Sequence, residues 1–298
     1  MASKEELARH DVLVAGDNEW QREARLLQAL WRERHELPVG LHGGRPLGSR
    51  LAMPFAKDAL ATFMTPTVQD VVRAEVLDSV KSAGKVYEDP RIFDNLLTSQ
   101  ALCFNLFGEL QRDLALASRT VARLLGDPTV EVTGIEFEHS PGRSDLRFTA
   151  DQSAFDVYIA YTFRGDRGFL GIEVKYAETM SGKVARHRAR YDEVAHAMAC
   201  FIPEGLLKLP QKPLEQFWRN HLLAGSLVLD VASGFKAGTF VVLYPRRNAV
   251  VHEAVVAYRA CLRDEQTFKT WTLEGVLDAV QGEVGTPWVR AVRERYLG

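Results

Sequence analysis

The segment FDVYIAYTFRGDRGFLGIEVKY, residues 155–176, limits what this chain can fold into more than any other stretch. Two runs rich in β-branched and aromatic residues flank a glycine-containing turn signal, Arg164-Gly165-Asp166-Arg167-Gly168, which predicts a β-hairpin. Side chains alternate between the faces of a strand. Phe155, Val157, Ile159 and Tyr161 therefore share one face of the first run, and Asp156 lies on the other with Tyr158 and Ala160. In the second run Leu170, Ile172, Val174 and Tyr176 form an apolar face, which leaves Gly171, Glu173 and Lys175 opposite. The spacing between Asp156 and Glu173 accommodates two strands and the turn, so the hairpin sets both carboxylates and Lys175 on neighbouring strands.

Charges in a strand covered on both sides are costly unless they are paired or bound to a metal. Two carboxylates offer hard oxygen ligands suited to Mg²⁺, which keeps several waters and takes one or two carboxylates beside a substrate phosphate; Mn²⁺ is expected to substitute. Lys175 supplies an ammonium that can orient an attacking water or stabilise charge growing on phosphorus.

The flanking pattern extends the fold. Asn95–Leu125 has apolar residues at helical spacing and is expected to form one buried helix, ended by Gly126-Asp127-Pro128. Val130–Phe137 reads as a strand. Helical patterns follow over Lys183–Cys200 and Pro213–Ala224, then a strand at Thr239–Tyr244. Further on, His252–Leu262 reads as a helix, Phe268–Leu273 as a short strand and Leu273–Val280 as a helix, and Thr286-Pro287 opens a last helix. Before residue 90 the chain reads as a mostly helical extension: a helix over Asn18–His35, a glycine-rich loop LHGGRPLGSRL and a helix near Thr67–Ala83. The loop lacks the Lys that a phosphate loop needs before its hydroxyl residue, so its glycines are assigned to turn geometry. The expected division is 1–90 for the extension and 91–298 for the main domain.

Asp156, then Glu173-Val174-Lys175 on a hydrophobic strand, resembles the Asp…(Asp/Glu)-x-Lys signature of the PD-(D/E)xK nuclease superfamily. Ala154-Phe155 precedes the aspartate where the signature has proline. LLTSQALCFNLFGEL, SPGRSDLRFTADQSAFD, GFLGIEVKY and FWRNHLLA together resemble a family of bacterial restriction-endonuclease-like proteins within that superfamily, from about Asp94 to the tail. The resemblance implies an α/β fold with a mixed sheet, a restriction-endonuclease-like αβββαβ core, and Mg²⁺-dependent hydrolysis of DNA phosphodiesters. It implies Asp156, Glu173 and Lys175 as catalytic residues, the backbone carbonyl of Val174 as a further metal ligand, and an acidic group from the first helix, for which Glu109 is the matching type. Glu136 or Glu138 is an alternative carboxylate from the first strand, and Glu178 a helix-entry carboxylate.

Net charge is −2, so contact with nucleic acid must be local. Lys183, Arg186, His187, Arg188 and Arg190 form the clearest basic concentration, and with Gln216, Arg219 and His221 they are the candidates for the phosphate backbone. Gln100 and Asn105, on an otherwise apolar helix, need structural partners. Cys103, Cys200 and Cys261 have no metal-ligand spacing and read as buried thiols. Without a membrane-length apolar run or a secretion signal, a cytoplasmic protein is expected. DNA is the expected partner, with a homodimer or a partner protein left open. Two other readings fit the same residues: a DNA-binding module that cuts only with a partner, and a structural protein in which the three charges form an ion-pair network.

Overall fold

The computed structural model describes residues 2–281 and 287–298. The chain forms two compact units, Met1–Arg112 with Val280–Gly298, and Asp113–Ala279. The boundary falls inside the stretch expected to be one helix. Asp113 explains it: its carboxylate accepts a hydrogen bond from the Leu116 amide and caps a new helix, so Ser99–Arg112 and Leu114–Leu125 are separate helices.

In the first unit, helix Glu19–Arg34 starts at a reciprocal cap in which the side chains of Asn18 and Gln21 each accept from the other's amide. The glycine-rich stretch expected to be a loop is a hairpin of strands Val39–His42 and Arg45–Leu51. Gly43 and Gly44 take φ of 58° and 78°, the positive values that a two-residue hairpin turn demands. Helix Pro66–Val72 runs into a π-helical turn, Arg73–Leu77. Asn105, fully buried, donates to the Thr62 carbonyl and the Tyr296 hydroxyl, and Gln100 bonds Val86 and Glu88, so both polar residues of helix Ser99–Arg112 serve structure. The last helix, Pro287–Tyr296, begins on proline as expected; Thr286 lies outside the described residues.

The second unit runs α1 (Leu114–Leu125), β1 (Glu131–His139), β2 (Phe155–Phe163), β3 (Asp166–Val174), α2 (Ala189–Met198), α3 (Glu215–Leu229), β4 (Ala237–Tyr244), α4 (Ala249–Arg259), β5 (Phe268–Thr272) and most of α5 (Leu273–Gln281). Its sheet has the order β1-β2-β3-β4-β5, antiparallel through β3 and parallel from β3 to β5. The parallel steps are the ones that need helical crossovers. They use α2 and α3, then α4, and the αβββαβ order follows.

The β2–β3 turn is tighter than the sequence suggests. Phe163 pairs with Asp166, so only Arg164 and Gly165 turn, with φ of 50° and 86°. One sheet face, carrying Tyr158, Phe169, Phe240 and Val242, packs in a core with Tyr191 and Val194 of α2 and Phe217 and Trp218 of α3. A Cβ at Gly171 would lie 2.3 Å from the Phe155 ring, so glycine is what lets that ring cross the strand. α2 starts only at Ala189, because Lys183–Arg188 has no apolar stripe to bury. The three cysteines are buried free thiols, as expected. Among the described residues no helix is long and apolar enough to cross a membrane.

Candidate active site

The strand register puts Asp156 and Glu173 on adjacent rungs. Val157 pairs with Ile172, so the residues one step outward, Asp156 and Glu173, stand opposite each other on β2 and β3. On the other side of β2, the pairs Phe137–Val157 and His139–Phe155 bracket Glu138 beside Asp156. The Val174 amide donates to Asp156 Oδ2 at 2.8 Å. Lys175 lies one residue past β3 but keeps its place in the sheet, since its amide donates to the Leu243 carbonyl at 2.8 Å. Asn248 then pins the exit: it donates to the Tyr176 carbonyl and caps α4 through Val251.

Glu173 and Lys175 are nearly closed to solvent, 3% and 6% exposed. Their side chains pair at 2.6 Å through Glu173 Oε1. Helix α3 completes the arrangement. The Gln216 amide donates to Glu173 Oε1 at 2.7 Å while its carbonyl accepts from Lys175 Nζ at 2.9 Å. One turn along, Asn220 donates to Glu173 Oε2 at 2.6 Å. Gln216, expected at a phosphate, stands between the two central charges instead. Asn220 was not among the expected site residues, and the available signal was a second amide at i+4 from Gln216 on an apolar helix.

Burial pushes the Asp156 carboxyl well above the usual carboxylate range, and the negative charge of Glu173 pushes it further, with a smaller contribution from Glu138. Burial works against the Lys175 charge, but Glu173, Glu178 and Asp156 outweigh it and hold the ammonium pKa up. Two crowded carboxylates, one of them poorly disposed to ionise, are what a divalent cation relieves. The donor set therefore fits such an ion, which Asp156, Glu173 and the Val174 carbonyl could hold. Among the described residues no group of three or more His, Cys, Asp or Glu side chains could hold a metal; the set here draws on two.

The other candidates separate. Glu109 belongs to the first unit, where it accepts from the Thr65 hydroxyl. Glu138 pairs with Arg143 at 3.0 Å, and Glu136 with His139 at 2.9 Å. Glu178 accepts from the amides of Tyr176 and Ala177 and so turns the chain after the strand. Lys183, Arg186 and Arg188 are exposed on the irregular segment before α2, not on the helix face expected. His187 lies parallel to the Trp218 ring at 5.9 Å. Arg190 donates to the carbonyls of Arg147 and Phe148 and pairs with Glu193.

Arg219 is 2.6 Å from Glu215 and 3.3 Å from Asp151, and also donates to Ser153. Its work is to tie the loop before β2 to α3. His221 is fully buried between the Tyr258 and Thr267 hydroxyls, and burial drives its pKa down to about 3. A neutral imidazole in the core does not reach a phosphate, which corrects the expectation for this residue.

The family model that matches the chain, over residues 15–298, describes the PD-(D/E)XK nuclease superfamily. No curated protein and no solved structure gives a significant match.

Proposed function

The chain belongs to the PD-(D/E)XK nuclease superfamily, and from that premise we propose that it is a Mg²⁺-dependent deoxyribonuclease that hydrolyses DNA phosphodiesters as a restriction-like endonuclease. The observation that carries this reading is the rung Asp156–Glu173, with Lys175 at 2.6 Å from Glu173 and the Asp156 pKa raised by burial and by the charge of Glu173. Asp156, Glu173 and the Val174 carbonyl would hold the cation, which when bound would supply Lewis acidity toward the phosphate and lower the pKa of water. Asp156 is aimed by the Val174 amide and Glu173 by the Asn220 amide. Lys175 stays protonated, and its ammonium serves the charge that builds on the phosphate oxygens during in-line attack. Gln216 keeps that ammonium hydrogen-bonded whether or not Glu173 remains its partner. Lys183, Arg186 and Arg188, all exposed, contact the phosphate backbone and add affinity without sequence information.

The test is cleavage of supercoiled plasmid and of a single-stranded oligonucleotide with Mg²⁺ or Mn²⁺, for the wild type, Asp156→Ala and Lys175→Ala. Metal-dependent cutting lost in both folded variants is expected. Cutting retained in Lys175→Ala, or observed equally in EDTA, would sink the reading.

A further inference from the structure

Glu173 divides its hydrogen bonds unequally between its two oxygens. Oε1 accepts from Lys175 and Gln216, and these two also bond each other at 2.9 Å. Each keeps a partner if it releases Oε1. Oε2 accepts from Asn220 at 2.6 Å, and Asn220 is itself only 4% exposed on a helix fixed in the core by Phe217, Trp218 and Leu222. One oxygen therefore has partners that can leave together, and the other is held by a group with little freedom to move.

We propose that Asn220 is a positioning residue for the cation site: it holds Glu173 Oε2, fixes the plane of the carboxylate and so presents Oε1 to the divalent ion. The inference rests on the reading of Asp156 and Glu173 as cation ligands. Its physical basis is that a carboxylate restrained by a buried donor loses less freedom when it coordinates, and is less able to rotate back into its ion pair with Lys175. Hydrogen bonds of this kind behind metal ligands set affinity by about 10–100-fold. Asn220 acts through Glu173, to which it donates, so its effect should appear in the cation dependence rather than in the chemical step.

The experiment is Mn²⁺ titration of the whole chain by calorimetry and by the electron-spin-resonance signal of free Mn²⁺, for the wild type, Asn220→Leu and Asn220→Ser. Leucine keeps the volume and removes the donor; serine is small enough to fit and its hydroxyl is too short to reach Glu173. Both variants should bind Mn²⁺ about tenfold more weakly, with the far-ultraviolet circular dichroism of the wild type. In the cleavage assay the Mn²⁺ concentration for half-maximal rate should rise by the same factor, while the rate at saturating Mn²⁺ stays within about twofold. A purely structural role would leave Mn²⁺ affinity unchanged in the folded variants, and that outcome overturns the proposal. If Asn220→Leu fails to fold, Asn220→Ser decides alone. A wild-type chain that binds no Mn²⁺ overturns the cation site and this inference together, whereas normal wild-type binding with unaltered variants overturns the role of Asn220 only.

Discussion

Asp151 and Asp156 lie five residues apart, both withdrawn from water, and their acidities move in opposite directions. Asp151 accepts from the Thr149, Ser153 and Tyr191 hydroxyls and the Ser153 amide, and pairs with Arg219. Burial alone would raise its pKa, but these donors overcome it and hold the group below the usual range. Asp156, among the described residues, accepts from the Val174 amide and faces Glu173 and Glu138. The protein has completed the coordination of one carboxylate and left the other short of positive charge. The first is a clamp and the second, on the proposed reading, a cation ligand, which is how buried acids at structural and functional positions differ.

The strongest way to break this contrast is to remove each acid in turn. Asp156→Ala and Lys175→Ala should lose at least about a hundredfold in cleavage rate while urea unfolding shows a stable chain. Asp151→Ala should do the reverse. It takes one partner from Arg219 and the acceptor from the Tyr191 hydroxyl, should cost about 3 kcal/mol in urea unfolding, and should leave cleavage per folded molecule near that of the wild type.

The same clamp gives a sign for pH. Because the folded pKa of Asp151 is lowered, its contribution is present above the ordinary carboxylate value of about 4 and is lost as pH falls through the folded value. The acid limb of a stability–pH curve should therefore be shallower in Asp151→Asn. A steep limb of wild-type slope in that variant would remove Asp151 from the account.

Electrostatics outside the pair sharpens the contrast. Replacing Lys183, Arg186 and Arg188 by Gln should weaken DNA binding and flatten the slope of log affinity against log salt by about 2–3, with unfolding unchanged. The smallest effect concerns Asp156 itself. A carboxyl whose folded pKa is raised is penalised for ionising above its unfolded pKa, so Asp156→Asn should make the metal-free chain more stable at neutral pH. A destabilised Asp156→Asn would show that Asp156 is a clamp after all.

Much of this was legible beforehand. Phe155–Phe163 forms a strand with the expected ends, and alternation alone put Asp156, Glu173 and Lys175 together, because β-strand geometry is periodic and local. The failures lie where a single residue overrides a pattern. Asp113 sits in an unbroken apolar repeat, yet its side chain starts a second helix. Gly43-Gly44 reads as loop chemistry and makes a hairpin. His221 and Arg219 look like surface groups beside Gln216, but helix α3 is covered on most of its circumference, so polar residues there find partners inside. Asn220 meets Glu173 only through a crossover of 47 positions, which spacing does not reveal.

Helix α3 carries the clamp on Glu215 and Arg219 and the amides that hold Glu173 on Gln216 and Asn220, two i, i+4 pairs offset by one position. Each added residue in a helix turns everything beyond it by about 100°. One codon inserted between Gln216 and Arg219 would therefore swing Arg219 off Asp151 and Asn220 off Glu173 together. A change of length between Gln216 and Asn220 therefore costs two unrelated contacts at once.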